Sequence, residues 1–149
     1  VILLDQLTKW WVMSTFALHE SRAVLPGFFN LTFVTNTGAA FGFLAGRETD
    51  LRQAFFVGVS LAALVALVFA YRHFRHEGQL AVTALGLIAG GAMGNLIDRL
   101  RFGQVIDFLD VYIGTYHWPA FNVADAAITI GAGLLIVGSL RGWRSEGKK

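Results

Sequence analysis

Hydrophobic and polar positions along this chain follow two different rhythms. Between Arg52 and Arg72 run 19 residues without a charge, QAFFVGVSLAALVALVFAY, and between Glu77 and Asp98 another 20, GQLAVTALGLIAGGAMGNLI. Each comes close to the ~20 residues a helix needs to cross ~30 Å of hydrocarbon, so both predict membrane spans. A third run, Ala126 to Leu140, reaches spanning length once the turn from Asn122 is added, which brings Asp125 into the span. At the start, Val1-Ile2-Leu3-Leu4 is apolar but is interrupted by Asp5, Thr8 and Lys9 before Trp10-Trp11-Val12-Met13 resumes. This reads as the end of a first span shortened at its N-terminus. A cleaved secretory signal fits less well, because the stretch has neither a basic leading region nor a small-residue cleavage site. On the shorter rhythm, Phe29-Asn30-Leu31-Thr32-Phe33 alternates with period two and predicts a half-buried strand.

With four spans, the two large connections, residues 19–51 and 99–121, fall on one side of the membrane. The second contains the breakers Gly103, Gly114 and Pro119 and the aromatics Phe102, Phe108, Tyr112, Tyr116, Trp118 and Phe121, which suit an interface. The short link Arg72-His73-Phe74-Arg75-His76-Glu77 and the tail from Arg141 to Lys149 fall on the other. Each side carries six Lys/Arg, but those of the link and tail are compactly clustered, which places link and tail in the cytoplasm. The chain is expected to be a single domain, residues 1–149, without internal repeats.

Composition strengthens this picture. Of the 149 residues 55% are hydrophobic and 15% charged, against roughly 45–50% and 25% in an ordinary soluble domain, and intrinsic disorder is excluded on the same grounds. Cysteine is absent, which removes disulfides, thiolate nucleophiles and thiolate-ligated metals. The net charge of +2 is spread along the chain rather than gathered in a stripe, so no nucleic-acid partner is expected.

Acids within or beside membrane spans are costly and so are functional candidates by default. Asp98 is adjacent to Arg99, and a salt bridge closing the span would account for both, with Asn95 on the same helical face able to join. Asp5 and Lys9 stand at i,i+4 in the order that favours a helical ion pair, and Thr8 can bond back to the carbonyl of Leu4. Asp107 and Asp125 are different, because neither has a basic residue nearby in sequence. If the connection folds back on the last span, the two carboxylates can meet and share one proton, the arrangement of an aspartyl hydrolase. Asp125 lies in the first turn of a helix, whose dipole makes it the more readily ionised member. Two acids merely solvated at a span end would read the same way.

Other chemistries lack their residues. His73 and His76 sit in the basic link rather than in an H-E-x-x-H helix, and His19 and His117 are isolated, so no metal site is expected. There is no G-x-S-x-G elbow, and Ser14 faces Lys9 poorly for a serine–lysine dyad. Gly86, Gly90 and Gly94 recur every four residues, a spacing that lets helices approach closely. Asn36-Thr37-Gly38-Ala39-Ala40-Phe41-Gly42 reads either as a turn in which Asn36 bonds its own backbone or as a binder of extended peptide main chain. On these residues alone, a small transporter whose acids relay cations and a non-catalytic scaffold both remain open.

Five blocks in order resemble lipoprotein signal peptidase, also called signal peptidase II: Asp5-Gln6-Leu7-Thr8-Lys9, Asn36-Thr37-Gly38-Ala39-Ala40-Phe41, Gly94-Asn95-Leu96-Ile97-Asp98-Arg99, Val105-Ile106-Asp107-Phe108 and Phe121-Asn122-Val123-Ala124-Asp125. The resemblance runs through nearly the whole chain. It implies a bacterial inner-membrane aspartyl protease with Asp107 and Asp125 as its catalytic dyad. Asp5, Lys9, Asn36, Gly38, Asn95, Asp98, Arg99 and Asn122 would support the site or bind substrate. The implied fold is an all-α bundle of four transmembrane helices, with a small periplasmic β cradle and a periplasmic loop or helix over the site. The implied substrate is a diacylglyceryl-modified prolipoprotein, cut just before its lipidated cysteine by a monomer in contact with membrane lipid, with no cofactor or metal.

Overall fold

The computed structural model describes residues 1–38 and 49–146. In chain order these form α1 (Ile2–Thr15), β1 (Ser21–Leu25), β2 (Phe29–Asn36), α2 (Thr49–Phe74), α3 (Gln79–Phe102), β3 (Val105–Ile113), β4 (Tyr116–His117) and α4 (Val123–Glu146). Three stretches are long and apolar enough to cross a membrane: Asp50–Phe74, Gln79–Phe102 and Val123–Leu140. They match the three charge-poor runs. The 14 residues of α1 extend only about 21 Å at 1.5 Å per residue. Side chains such as Leu61, Val65, Val68 and Phe69 of α2 and Ile130, Ile136 and Leu140 of α4 are exposed, as lipid-facing positions should be.

The four strands make one antiparallel sheet in the order β1-β2-β3-β4. The alternating Phe29–Phe33 segment is indeed a strand, but the connection after α3, expected to be an interfacial loop or a helix over the site, is mostly strand. The pattern of β3 hides this, since Val105, Ile106, Asp107 and Phe108 are consecutively buried and give no alternation. Phe108 is likewise no interface residue, because it packs with Val12 and Phe16 beneath β2. Residues 39–48, including Ala39-Ala40-Phe41 of the second block, lie outside the described residues, as do residues 147–149 of the basic tail.

Both large connections meet in the sheet at one end of the bundle. At the other end, Phe74, Glu77, Gly138 and Gly142 line one cavity, so the α2–α3 link and the end of α4 lie together as expected. Helix α3 stops at Gly103, whose left-handed φ of +71° lets its N–H donate to the carbonyl of Arg99 at 3.0 Å.

Glycine sets how closely the helices approach, at two of the three positions of the expected stripe and at two others. A methyl at Gly94 would stand 2.6 Å from Asp5 Oδ2, and one at Gly90 2.8 Å from Val1 Cβ, so these two face α1, whereas Gly86 meets open space. The closest α3–α4 approach uses two other glycines. Gly91 lies against the Ala124 carbonyl and Ile128, and a methyl at Gly131 would stand 2.6 Å from the Ala84 carbonyl. Gly91→Val is therefore expected to destabilise the fold by about 1–3 kcal/mol through overpacking. Gly86→Ala should change stability by no more than about 0.5 kcal/mol. Thermal unfolding of both variants in the same detergent checks the contrast.

Candidate active site

The ammonium of Lys9 is buried where α1, α3 and the start of α4 converge, and all three of its N–H donors are used. It donates to Asp5 at 2.9 Å, to Asp98 at 2.7 Å and to Asn95 Oδ1 at 3.0 Å. The Asp5–Lys9 pair expected from spacing is present. The Asp98–Arg99 bridge is not: Asp98 pairs with Lys9, and the Arg99 guanidinium donates to the Asn95 carbonyl at 3.3 Å and stands 5.9 Å from the Phe56 ring. Adjacent residues on a helix point away from each other, which is why the neighbour in sequence is not the partner in space.

Each acid on Lys9 then holds a strand or helix end by its main chain. Asp5 Oδ1 accepts the N–H of Ala124 at 2.9 Å, beside Asp125, while Asp98 Oδ2 accepts the N–H of Ile106 at 3.2 Å, beside Asp107. Gln6 closes the cluster by donating to Asp98 Oδ1 at 2.9 Å and to the carbonyl of Gly94 at 3.3 Å. Thr8 bonds to the carbonyl of Leu4 at 2.8 Å, as its spacing suggested.

Two asparagines join this cluster to the remaining acids. Asn95 Nδ2 donates to Asp125 Oδ1 at 2.7 Å. Asn122 is fully buried, and its Nδ2 donates to Asp107 Oδ1 at 2.7 Å, with Asn95 Oδ1 and the carbonyl of Ile106 each at 3.2 Å. Its Oδ1 accepts the N–H of Asp125 at 2.9 Å, and Asp125 Oδ2 accepts the N–H of Asn122 at 3.3 Å. That reciprocal pair is a capping box at the start of α4. The N-x-x-D spacing was the sequence signal for it. Asp125 is thus a helix cap as well as a site acid, and one amide bridges it to Asp107. Among the described residues no buried side-chain N or O atom lacks a hydrogen-bond partner.

Asp107 is 2% exposed. Burial first, and then the nearby charge of Asp125, push its carboxyl up from 3.8 to about 7, against hydrogen bonds from Asn122 and Asn36 and the charge of Lys9. Asn36 forms the expected turn, accepting the N–H of Gly38 at 2.8 Å, with Gly38 at φ +82°. Asp107 opens on a 290 Å³ cleft with Val34, Thr35, Asn36, Thr37, Pro119 and Ala120. Asp125 opens on an apolar cleft of 530 Å³ whose wall includes Trp118, Phe121, Thr129 and Ile130, and Pro119 and Ala120 line both clefts.

His117 is not isolated. Its Nδ1 lies 2.8 Å from Asp110 Oδ1, and its ring stacks on Tyr112, while Asn30 donates to Asp110 Oδ2 at 2.8 Å. The Asn30–Asp110 contact depends on strand register, and only the pairing of β2 with β3 makes it visible.

Fold and site together define a helical membrane protein with its polar groups gathered at one end of the bundle, under a small sheet. Residues 1–141 match the family Signal peptidase (SPase) II. The lipoprotein signal peptidase of Syntrophus aciditrophicus (strain SB) is 56% identical over 137 residues, covering 92% of this chain and 85% of that protein. That of Geobacter metallireducens is 48% identical over 147 residues, covering 99% and 90%. A solved structure described as a bacterial membrane enzyme, determined by the in meso method at 1.9 Å resolution, superposes with a TM-score of 0.80 at 36% identity, covering 93% of this chain and 86% of that one. The chain belongs to the signal peptidase II family.

Two outcomes follow from the buried cluster. Lys9→Met leaves Asp5 and Asp98 without their counter-ion and is expected to cost about 3–5 kcal/mol, read from unfolding midpoints in detergent. The raised Asp107 carboxyl binds its proton more tightly in the folded state, so stability should fall as pH rises from 3.8 to about 7 and level off above. Asp107→Asn should flatten that part of the pH dependence, measured as melting temperature against pH.

Proposed function

We propose that this chain is an aspartyl endopeptidase in which Asp107 and Asp125 act as a pair. Its reaction is removal of signal peptides from prolipoproteins in lipoprotein maturation. The observation that carries the pairing is the single Asn122 amide that donates to Asp107 while its oxygen holds the main chain of Asp125.

In this reading Asp107, with its carboxyl pushed up to about 7, carries the proton and Asp125 is the base. Asp125 takes a proton from water as the water oxygen attacks the scissile carbonyl carbon, and Asp107 gives its proton to the carbonyl oxygen. The gem-diol intermediate then collapses: one hydroxyl returns its proton to Asp107 as the C=O bond reforms, the C–N bond breaks, and the amine leaves with the proton held by Asp125. No metal or covalent intermediate is needed. A peptide laid over Pro119 and Ala120, which line both clefts, reaches both acids. Lys9, Asp5, Asp98, Asn95 and Asn122 hold the two acids in place, while Arg99, Asn36 and Gly38 flank the substrate path.

The same reading makes α1 part of a fourth span and sets the sheet on the periplasmic side, with the C-terminus in the cytoplasm and the protein acting as a monomer. The substrate is a diacylglyceryl-modified prolipoprotein cut just before its lipidated cysteine. Its two acyl chains, held in lipid, confine the scissile bond to the depth of the acids and so supply proximity.

Asp107→Asn and Asp125→Asn are each expected to lower kcat at least about 10³-fold while remaining folded, on a gel-shift assay with a lipid-modified prolipoprotein. Cleavage by the unmodified protein should also decline as pH rises through about 7, where Asp107 loses its proton. A folded Asp107→Asn or Asp125→Asn variant that cleaves normally would refute the pairing.

A further inference from the structure

Ile106 turns its main chain away from β2. Its N–H donates to Asp98 Oδ2 and its carbonyl accepts Asn122 Nδ2, both at 3.2 Å. In an antiparallel pair, facing residues alternate between those that exchange N–H···O bonds and those that do not. Ile106 faces Thr35, so that pair is of the second kind, while Val34 with Asp107 and Asn36 with Val105 are of the first. The N–H and carbonyl of Thr35 therefore point outward, away from β3.

Phe33 confirms this parity independently. Its N–H donates outward to the Glu20 carbonyl at 2.9 Å, and its carbonyl accepts the N–H of His19 at 2.7 Å. There the cover ends, because the pairing of β1 runs only from Leu25 with Phe29 to Ser21 with Thr32. Among the described residues, no main-chain group pairs with the outer edge of Thr35. Thr35 lines the same 290 Å³ cleft as Asp107.

We propose that the outward main chain of Thr35 is the edge on which an extended stretch of the substrate adds as a further strand, fixing its register relative to Asp107. The proposal rests on the aspartyl reading above and extends it to how the peptide is held. Strands lie about 4.8 Å apart, so one added outside β2 runs about 10 Å from β3. A peptide leaving that edge has to cross this distance to reach Asp107, so at about 3.3 Å per residue the paired position stands at least about three residues from the scissile bond. Recognition of this kind takes its affinity from main-chain bonds, so it demands an extended peptide without reading each side chain. An unpaired strand edge is also a liability that a fold normally blunts. Here it belongs to a residue that lines the Asp107 cleft.

The test is steady-state cleavage of a synthetic diacylglyceryl-modified prolipoprotein peptide by the unaltered protein and by Thr35→Pro. Proline lacks the outward N–H and suits a strand position whose N–H is not used by the ladder, so the bonds from β2 to β3 stay intact. The expected result is a KM about five- to tenfold higher, with kcat within about threefold, for a variant of matched melting temperature. A folded Thr35→Pro enzyme with unchanged KM overturns the proposal. A second measurement stands apart from the variant's folding: single backbone N-methyl groups are scanned along the peptide against the unaltered enzyme. KM should rise for a methyl at one position at least about three residues from the scissile bond, and a scan flat over those positions overturns the proposal. Asp107→Asn run in parallel separates the two ideas. If it cleaves, the aspartyl reading fails and the Thr35 proposal with it. If it is inactive while Thr35→Pro behaves normally, only the Thr35 proposal fails.

Discussion

One buried ammonium organises the polar end of this protein. Lys9 has three N–H donors and three partners, and two of those partners are carboxylates that each hold a separate piece of chain. Through Asp5 it fixes the start of α4, through Asp98 it fixes β3, and through Asn95 it touches the amides around both site acids. A charge pair in so dry a place gives little net stability compared with well-packed hydrocarbon. Its value here is geometric, because elements far apart in sequence are all referred to one point.

The amide of Asn122 serves the acids as Lys9 serves the framework. It caps α4 through its oxygen and binds Asp107 through its nitrogen, so helix initiation and acid placement are one event. The close glycine contacts serve the same end. Gly94 leaves room for Asp5 against α3, and Gly91 brings α4 close enough for Ala124 to reach that carboxylate.

The sequence made the spans legible because length and absence of charge are local properties, and the Asp5–Lys9 pair legible because helical spacing is local too. It made Asp107 and Asp125 conspicuous for want of a neighbouring cation. Partners from distant segments were beyond local reading, as Asp98 illustrates: the adjacent Arg99 looked sufficient, yet the true counter-ion comes from α1. Strand β3 escaped notice because a strand covered on both faces shows no alternation, and its aromatics resembled a membrane interface. The tight α3–α4 seam was hidden for a similar reason. The regular spacing of Gly86, Gly90 and Gly94 drew attention from Gly91 and Gly131, whose significance depends on which face meets α4.

That Pro119 and Ala120 line the clefts of both acids has a consequence for chemical inhibition. On the reading of Asp107 and Asp125 as the acting pair, a compound confined to the larger, apolar cleft rests against Trp118 and Ile130 and meets Asp125 alone of the two. One that also carries a polar group past Ala120 towards Asp107 engages both. Reach across Ala120, more than hydrophobic bulk, would then decide potency.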